Sequence, residues 1–394
     1  MYFDSEIRNS KCEIDESTMT EKKLISSVLH DSVRKLRKVL HAHRLNVWLL
    51  EGEERWTGER LSFVYAGHKA KRNHILHLAF NGSYRKSACG KAWVWDALKF
   101  GVNKYAGHPM VIMEIAKCFY RRFGRQEGFY IPWWVYGEID LAVASMRIKQ
   151  SRTFKADLRR IRKNHFQYEV TRDKDQFDHF YHSMYVPYIT RAHGDRALLR
   201  SYDQLRHYFS CGELLFVKNE SKYVGCSLLV FEDDSVYAKE LGIKDGNMHY
   251  LRAGVVSALY YYMFLYLMEK GYKKVNVGAS RAFLKDGVLV FKKRRGMRLS
   301  HQNPWPMGFL IKPLRKTDGV KAFLKNNPFI YVNNDSFNGA VFVESGEAVS
   351  EDQLKKLHKD HYVPGVAKLN IYQLGERQDP IAITTEEKLQ FCVK

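Results

Sequence analysis

In this 394-residue chain, the residues best placed to do chemistry lie between Ser235 and Arg298. A strand is expected over Ser235–Ile243, and it carries Glu240, a carboxylate in an otherwise apolar run. The turn Lys244-Asp-Gly-Asn247 follows, then Arg252 and Gly254 at the start of a long helix. A strand that opens onto a helix N-terminus presents unpaired N–H groups and the positive end of the helix dipole, which suits a pyrophosphate or another anion. Further on, Gly278-Ala-Ser280-Arg281 and the segment from Asp286 to Gly296, with Phe291, Lys292, Lys293, Arg294 and Arg295, add cations. Acyl transfer to an amine needs three things: a carbonyl oxygen held by donors, a neutral amine and a protonated leaving group. Lys292, expected in a strand or bulge beside Phe291, can place its ammonium on the developing oxyanion. The plainer alternative is a solvated Lys292–Arg295 run that binds phosphate.

Three residues are candidates for the base: Asp286, Glu240 and His193. Asp286 precedes Gly287, and Asp-Gly commonly makes a turn. Glu240 needs either a role or a partner if it is buried. Arg252 and Arg281 are the expected partners, with Lys239 on the opposite face of the strand. His193, in the expected loop Thr190–Asp195, stands near Arg191 and Asp195 and can meet a substrate or simply face water.

These residues need a scaffold, and the hydrophobic pattern supplies one. A basic helix is expected over Lys155–Lys163 and another helix over Asp175–Tyr188, with a strand at Tyr168–Thr171 between them. Strands follow at Glu213–Lys218, Lys222–Phe231, Ser235–Ile243 and Lys274–Val277. A long apolar helix, Leu251–Lys270, lies between the last two and stops at Gly271. Upstream, Leu24–Leu40 reads as a basic amphipathic helix, Asn46–Leu50, Leu61–Tyr65 and His74–Phe80 as strands, and Lys91–Tyr105 and Met110–Phe123 as helices. Phe129–Val135 and Ile139–Val143 read as strands. The aromatic and cationic mixture around Phe129-Tyr-Ile-Pro-Trp-Trp134 fits a domain junction or a nucleotide-stacking surface. Downstream, short strands at Phe329–Val332, Ala340–Val343 and Lys368–Tyr372 surround a helix over Ser350–His361. The resulting division is a polar tail (1–23), a first α/β unit (24–145), a second (150–307), and a C-terminal segment (308–394) too small to stand alone.

The stretch Gly278, Asp286-Gly287, Phe291-Lys292 and Gly296 resembles the Fem-like branch of the GNAT acyltransferase superfamily. The basic segment Ser151–Lys163 resembles the helix that opens that family's second domain. The resemblance covers roughly Arg152 to Arg298. It implies an α/β (α+β) fold of tandem GNAT-like acyltransferase domains with mixed, mostly antiparallel sheets. It also implies an enzyme moving an acyl or aminoacyl group to an amine acceptor, in cell-envelope or lipid and polysaccharide biosynthesis. Phe291 and Lys292 would stand at the transfer site, with Arg252, Gly254, Ser280, Arg281 and the Lys293–Arg295 run on the donor's phosphates. Enzymes of this fold often work without a dedicated base. The Arg/Gln-x-x-Gly-x-Gly/Ala loop of acetyl-CoA-binding relatives is not matched by Arg252-Ala-Gly254-Val255-Val256. The implied co-substrate is therefore an acyl-CoA, an acyl carrier protein or an aminoacyl-tRNA, with no tightly bound cofactor.

Composition bounds the rest. The 64 Lys and Arg against 43 Asp and Glu give a net charge of +21, which attracts polyanions without choosing among them. A non-catalytic nucleic-acid-binding protein is thus the rival reading, although DNA is not an expected partner. The six cysteines form no CxxC pair, which fits free thiols in a reducing compartment. No metal is expected, because neither His41 with His43 nor His74 with His77 has further ligands nearby to complete a set. The start of the chain lacks a signal-peptide pattern, and the apolar run Ala253–Met268 is shorter than the roughly 20 residues a spanning helix needs. A cytoplasmic protein, with the anionic inner membrane face as a further contact, is the expectation.

Overall fold

The computed structural model describes residues 44–94, 107–121, 128–194, 197–300, 307–344, 350–374 and 382–386. The expected tail and the helix Leu24–Leu40 lie outside them. The first sheet begins with β1 (Arg44–Glu54) and β2 (Arg60–Gly67). Helix α1 (Lys69–Ala79) follows, then β3 (Phe80–Trp93), β4 (Met110–Ala116) and β5 (Phe129–Pro132). Next come β6 (Val135–Asp140), α2 (Leu141–Gln150), α3 (Arg152–Lys163) and β7 (Phe166–Thr171). A helical stretch runs from α4 (Lys174–His179) through a π-helical turn, Phe180–Tyr185, into α5 (Val186–His193). Helix α6 (Tyr202–Phe209) leads to the hairpins of β8 (Gly212–Asn219), β9 (Lys222–Glu232) and β10 (Ser235–Ile243). Then come α7 (Met248–Ala253), α8 (Val255–Glu269), β11 (Lys274–Ser280), α9 (Gly287–Arg294) and the short β12 (Arg298–Leu299). The chain closes with β13 (Met307–Pro313), α10 (Asp318–Asn326), β14 (Phe329–Asn333), β15 (Ser336–Glu344), α11 (Glu351–His361), β16 (Lys368–Leu374) and β17 (Ala382–Glu386).

The α/β architecture with mixed, mostly antiparallel sheets is the one observed. Strand order is β3-β1-β2-β4-β13-β5 in the first sheet, β12-β6-β11-β10-β9-β8-β7 in the second and β14-β15-β16-β17 in the third. Among the described residues, the parallel pairs are β2 with β4, β10 with β11 and β15 with β16. The first two large sheets exchange strands. β6, which follows the first sheet in sequence, pairs with β11 in the second. β13, which follows the second, returns between β4 and β5 of the first. The third sheet packs on β5 through Phe129, whose ring meets Phe329, Tyr331, Phe342 and Tyr372 edge-on at 5.1–5.8 Å.

Several sequence expectations change in the fold. The strand expected over His74–Phe80 is replaced by the end of α1 over His74–Ala79, with Phe80 opening β3, because Ile75, Leu76 and Ala79 are buried with helical spacing. Met110–Phe123 was read as a helix, yet Met110–Ala116 is strand β4. It lies between two strands of its sheet, and an apolar run buried on both sides has no period to read. Of Lys91–Tyr105, Lys91–Trp93 complete β3 and 95–105 lie outside the described residues. The strand expected over Ile139–Val143 ends at Asp140, whose carboxylate accepts from the N–H groups of Ala142 and Val143 and starts α2. Leu251–Lys270 is two helices, broken at Gly254 by its left-handed φ of 98°.

Helix α8 has no polar stripe because it is covered on most sides. It packs on β8 and β9 and beneath α2 and α3, with Leu259, Met263, Phe264 and Leu267 buried. A second apolar cluster, with Phe177, Phe180, Tyr185, Phe209 and Phe216 among its members, fixes α4–α6 to the sheet. The strands β10 and β11 are thereby held by layers on either side. Among the described residues no helix is long and apolar enough to cross a membrane.

Candidate active site

The site begins with two irregularities in neighbouring strands. β10 and β11 pair in parallel only at Val236↔Val275 and Tyr237↔Asn276. Just beyond, the register of β10 against β9 shifts between Ala238 and Glu240, and that of β11 against β6 shifts between Asn276 and Ala279. Gly278 sits in the second shift with φ 70°, a value that favours glycine. Bulges bend and twist the strands that carry them. Here they coincide with a cleft of about 1120 Å³ whose lining includes Ala238, Glu240, Gly278, Ala279 and Lys292.

The shift in β10 also removes the simple alternation expected of the strand: Lys239 and Glu240 both line the cleft. Glu240 is paired, but not with Arg252 or Arg281. Arg200 Nε donates to its Oε1 at 2.7 Å. Burial raises the Glu240 carboxyl above its ordinary value, opposed by Arg200 and Lys292. The N–H of Arg200 donates to the Tyr185 hydroxyl at 2.9 Å, which ties this arginine to the π-helical turn. Nothing local in the sequence marks Arg200, which lies 40 residues from its carboxylate.

Lys292 is in helix α9, not in a strand or bulge. Its side chain is 6 % exposed, and Nζ donates to the Ala279 carbonyl on β11 at 2.8 Å. Burial lowers its pKa to about 8, against the attraction of Asp286 and Glu240. Asp286 accepts from the N–H groups of Val288 and Leu289, both at 3.0 Å, and so caps the helix that presents Lys292. Its carboxyl is raised by burial. Phe291 is held by the Tyr260 ring at 5.1 Å, edge to face, and by the Arg295 guanidinium 3.4 Å from its ring centre.

Helical geometry disperses the cationic run. Lys292 faces the cleft, while Lys293 Nζ donates to the Lys359 and Asp360 carbonyls at the end of α11, at 3.3 and 2.9 Å. Arg294 is exposed. Arg295 is 2 % exposed and bound to Asp157 Oδ2 at 2.5 Å and to Ser257 Oγ at 2.9 Å. The expectation that the run acts together on donor phosphates therefore does not hold: Arg295 is engaged inside the core. Ser280 is 1 % exposed, and Arg281 lies 3.9 Å over the Trp134 ring. Neither lines the cleft. Arg252 is exposed and Gly254 joins α7 to α8, whose Val256 does line it. His193 belongs to the last turn of α5 rather than to a loop.

The parallel pair of the first sheet, β2 with β4, is filled. Glu114 on β4 is fully buried and accepts from the Tyr65 hydroxyl at 2.5 Å and from the His68 N–H, where α1 begins, at 2.9 Å. Its other oxygen lies 2.8 Å from His68 Nδ1, and this contact raises the imidazole pKa. A Cβ on Gly67 would come within 2.6 Å of the same carboxylate. In the first sheet the chain's own anion thus occupies the place beside a strand end and a helix start.

Comparisons with known proteins concern the fold. No protein-family model matches the chain, and no curated protein is similar to it in sequence. Similar solved structures include L-PGS from Bacillus licheniformis, 13% identical, with a TM-score of 0.33 over 71% of this chain and 85% of that one. FemX is 13% identical, with a TM-score of 0.33 over 67% and 83%. A GCN5-related N-acetyltransferase from Sphaerobacter thermophilus is 12% identical, with a TM-score of 0.28 over 68% and 77%. At these identities and scores the likeness adds nothing to the chemistry of the cleft.

Proposed function

We propose that the protein is an acyltransferase that moves an acyl or aminoacyl group to an amine in the cleft between β10 and β11. The observation that carries this reading is a buried lysine, Lys292, and a half-buried carboxylate, Glu240, lining one largely apolar cleft. In that setting Lys292 keeps its proton at neutral pH yet can release it, and Glu240 is a base whose charge is held by Arg200. The amine nitrogen attacks the donor carbonyl, and a C–N bond forms as the bond from that carbon to the donor's sulfur or oxygen breaks. Glu240 takes the proton that the amine loses. Lys292 stabilises the developing oxyanion and supplies a proton to the leaving group, then recovers one from solvent or from Glu240. A bound donor that displaces water from the cleft strengthens both interactions.

Leu251, Val256, Leu259, Met263 and Val277 wall the cleft and suit the chain of a thioester donor or of its acyl group. The test is transfer measured with purified protein and panels of acyl thioesters and amines. Lys292→Ala is expected to lose about 100- to 1,000-fold in kcat with the fold retained. Wild-type turnover in that variant would remove the assignment.

A further inference from the structure

Helix α3 carries an exposed face of one sign. Arg152, Lys155, Arg159, Arg160, Arg162 and Lys163 are exposed, while Phe154, Asp157 and Ile161 are buried beneath them. The single acidic residue of the helix is turned inward onto Arg295. Arg160 is 3.9 Å from that carboxylate, and among the described residues the other five make no ion pair. Lys155 with Arg159, and Arg159 with Lys163, are like charges four residues apart, an arrangement that destabilises a helix. A face that only needs solvation gains from interspersed acids, and this one has none. An anionic partner lying along the roughly 17 Å of the helix removes the repulsion.

The face also leads to the cleft. Asn164, at the end of α3, donates from Nδ2 to the Ala253 carbonyl at 3.3 Å. Arg160 Cδ lies 3.5 Å from where a Cβ of Gly254 would stand. Gly254 opens α8, and Val256 in its first turn lines the cleft. A partner on α3 is therefore adjacent to the rim of the proposed transfer site.

Three kinds of polyanion meet this description, and the residues choose among them. The exposed residues of α3 include no aromatic, so a single-stranded RNA end finds no stacking platform there. They include no large apolar side chain to enter a bilayer. The contact is purely electrostatic, as suits a folded acidic protein, and the cleft beyond it has one wall of apolar side chains, Leu251, Val256, Leu259, Met263 and Val277. From these features, and resting on the transferase reading above, we infer that α3 docks an acidic acyl carrier protein. Its phosphopantetheine arm delivers the thioester between β10 and β11.

The probe is a phosphopantetheinylated bacterial acyl carrier protein, with binding followed by fluorescence anisotropy at rising salt. Wild-type protein is expected to bind it with an affinity that weakens steeply with salt. The variant Lys155→Glu/Arg159→Glu/Arg162→Glu should lose at least about tenfold at low salt, mainly in association rate. The corresponding triple Gln variant carries the comparison if the Glu form does not fold. Lys292→Ala should bind the carrier as wild type does, which separates docking from chemistry. Equal binding by wild type and charge variants overturns the inference, as does tRNA binding at physiological salt under which the carrier does not bind. Either result leaves the transferase reading intact, whereas undiminished transfer by Lys292→Ala defeats that reading and the inference with it.

Discussion

At the scale of the residue, Lys292 is placed at a cost. A lysine whose pKa falls from 10.5 to about 8 on folding destabilises the protein below pH 8 by roughly 3 kcal/mol. The unfolded chain holds that proton more tightly, so between pH 8 and 10.5 stability rises with pH as the folded lysine discharges. Lys292→Met is accordingly expected to raise the melting temperature at pH 7 while abolishing transfer. A lower melting temperature would show that the Ala279 contact outweighs desolvation. Transfer by the wild type should decline above about pH 8 as the ammonium is lost, and Lys292→Arg, if active, should move that limb to higher pH. Lys292 and Glu240, which the fold brings to one cleft, were legible as candidates because a carboxylate in an apolar strand and a Phe-Lys after Asp-Gly are local signals. Sequence reasoning missed Arg200, whose partnership depends on how the π-helical turn meets β10. It also gave Arg295 a surface role, because four successive cations look alike until a helix points them in different directions.

At the scale of the element, the helix carrying Lys292 depends on its cap and on a buried ion pair. Asp286→Ala removes an N-cap, an expected loss of about 1 kcal/mol in stability, and it should lower kcat more than it raises KM because the α9 start no longer holds Lys292. Asp286→Asn should largely restore both, by chemical denaturation and steady-state kinetics alike. Arg295→Ala leaves Asp157 charged and buried and is expected to cost about 3–5 kcal/mol in denaturant titrations. A near-neutral result would mean that Ser257 and water satisfy Asp157. Element type was legible where one face is wet, as in α3 with its buried Phe154 and Ile161. It was not legible in β4, where Met110–Ile115 are buried without interruption and an apolar run has no period to read.

At the scale of the whole molecule, the exchange of β6 and β13 makes the two large sheets dependent on each other. A chain limited to residues 150–307 lacks β6 and exposes the edge of β11 beside the cleft, an invitation to aggregate. That fragment is expected to be insoluble or molten, and one beginning at 128 to gain native-like secondary structure by circular dichroism. The intact protein should melt in one transition across both sheets. Two independent transitions would mean that the exchange contributes little. No sequence pattern announced the exchange, because pairing between β6 and β11 joins residues more than 130 positions apart. At the same scale, Glu114 fills in the first sheet the place that is open as a cleft in the second.

The most direct measurement is a crystal structure with a non-hydrolysable acyl-pantetheine thioether. The arm should lie between Ala238 of β10 and Gly278 of β11, with the atom that replaces the thioester within hydrogen-bonding reach of Lys292 Nζ. An analogue bound elsewhere, with the β10–β11 cleft empty, would contradict the assignment of this cleft as the transfer site.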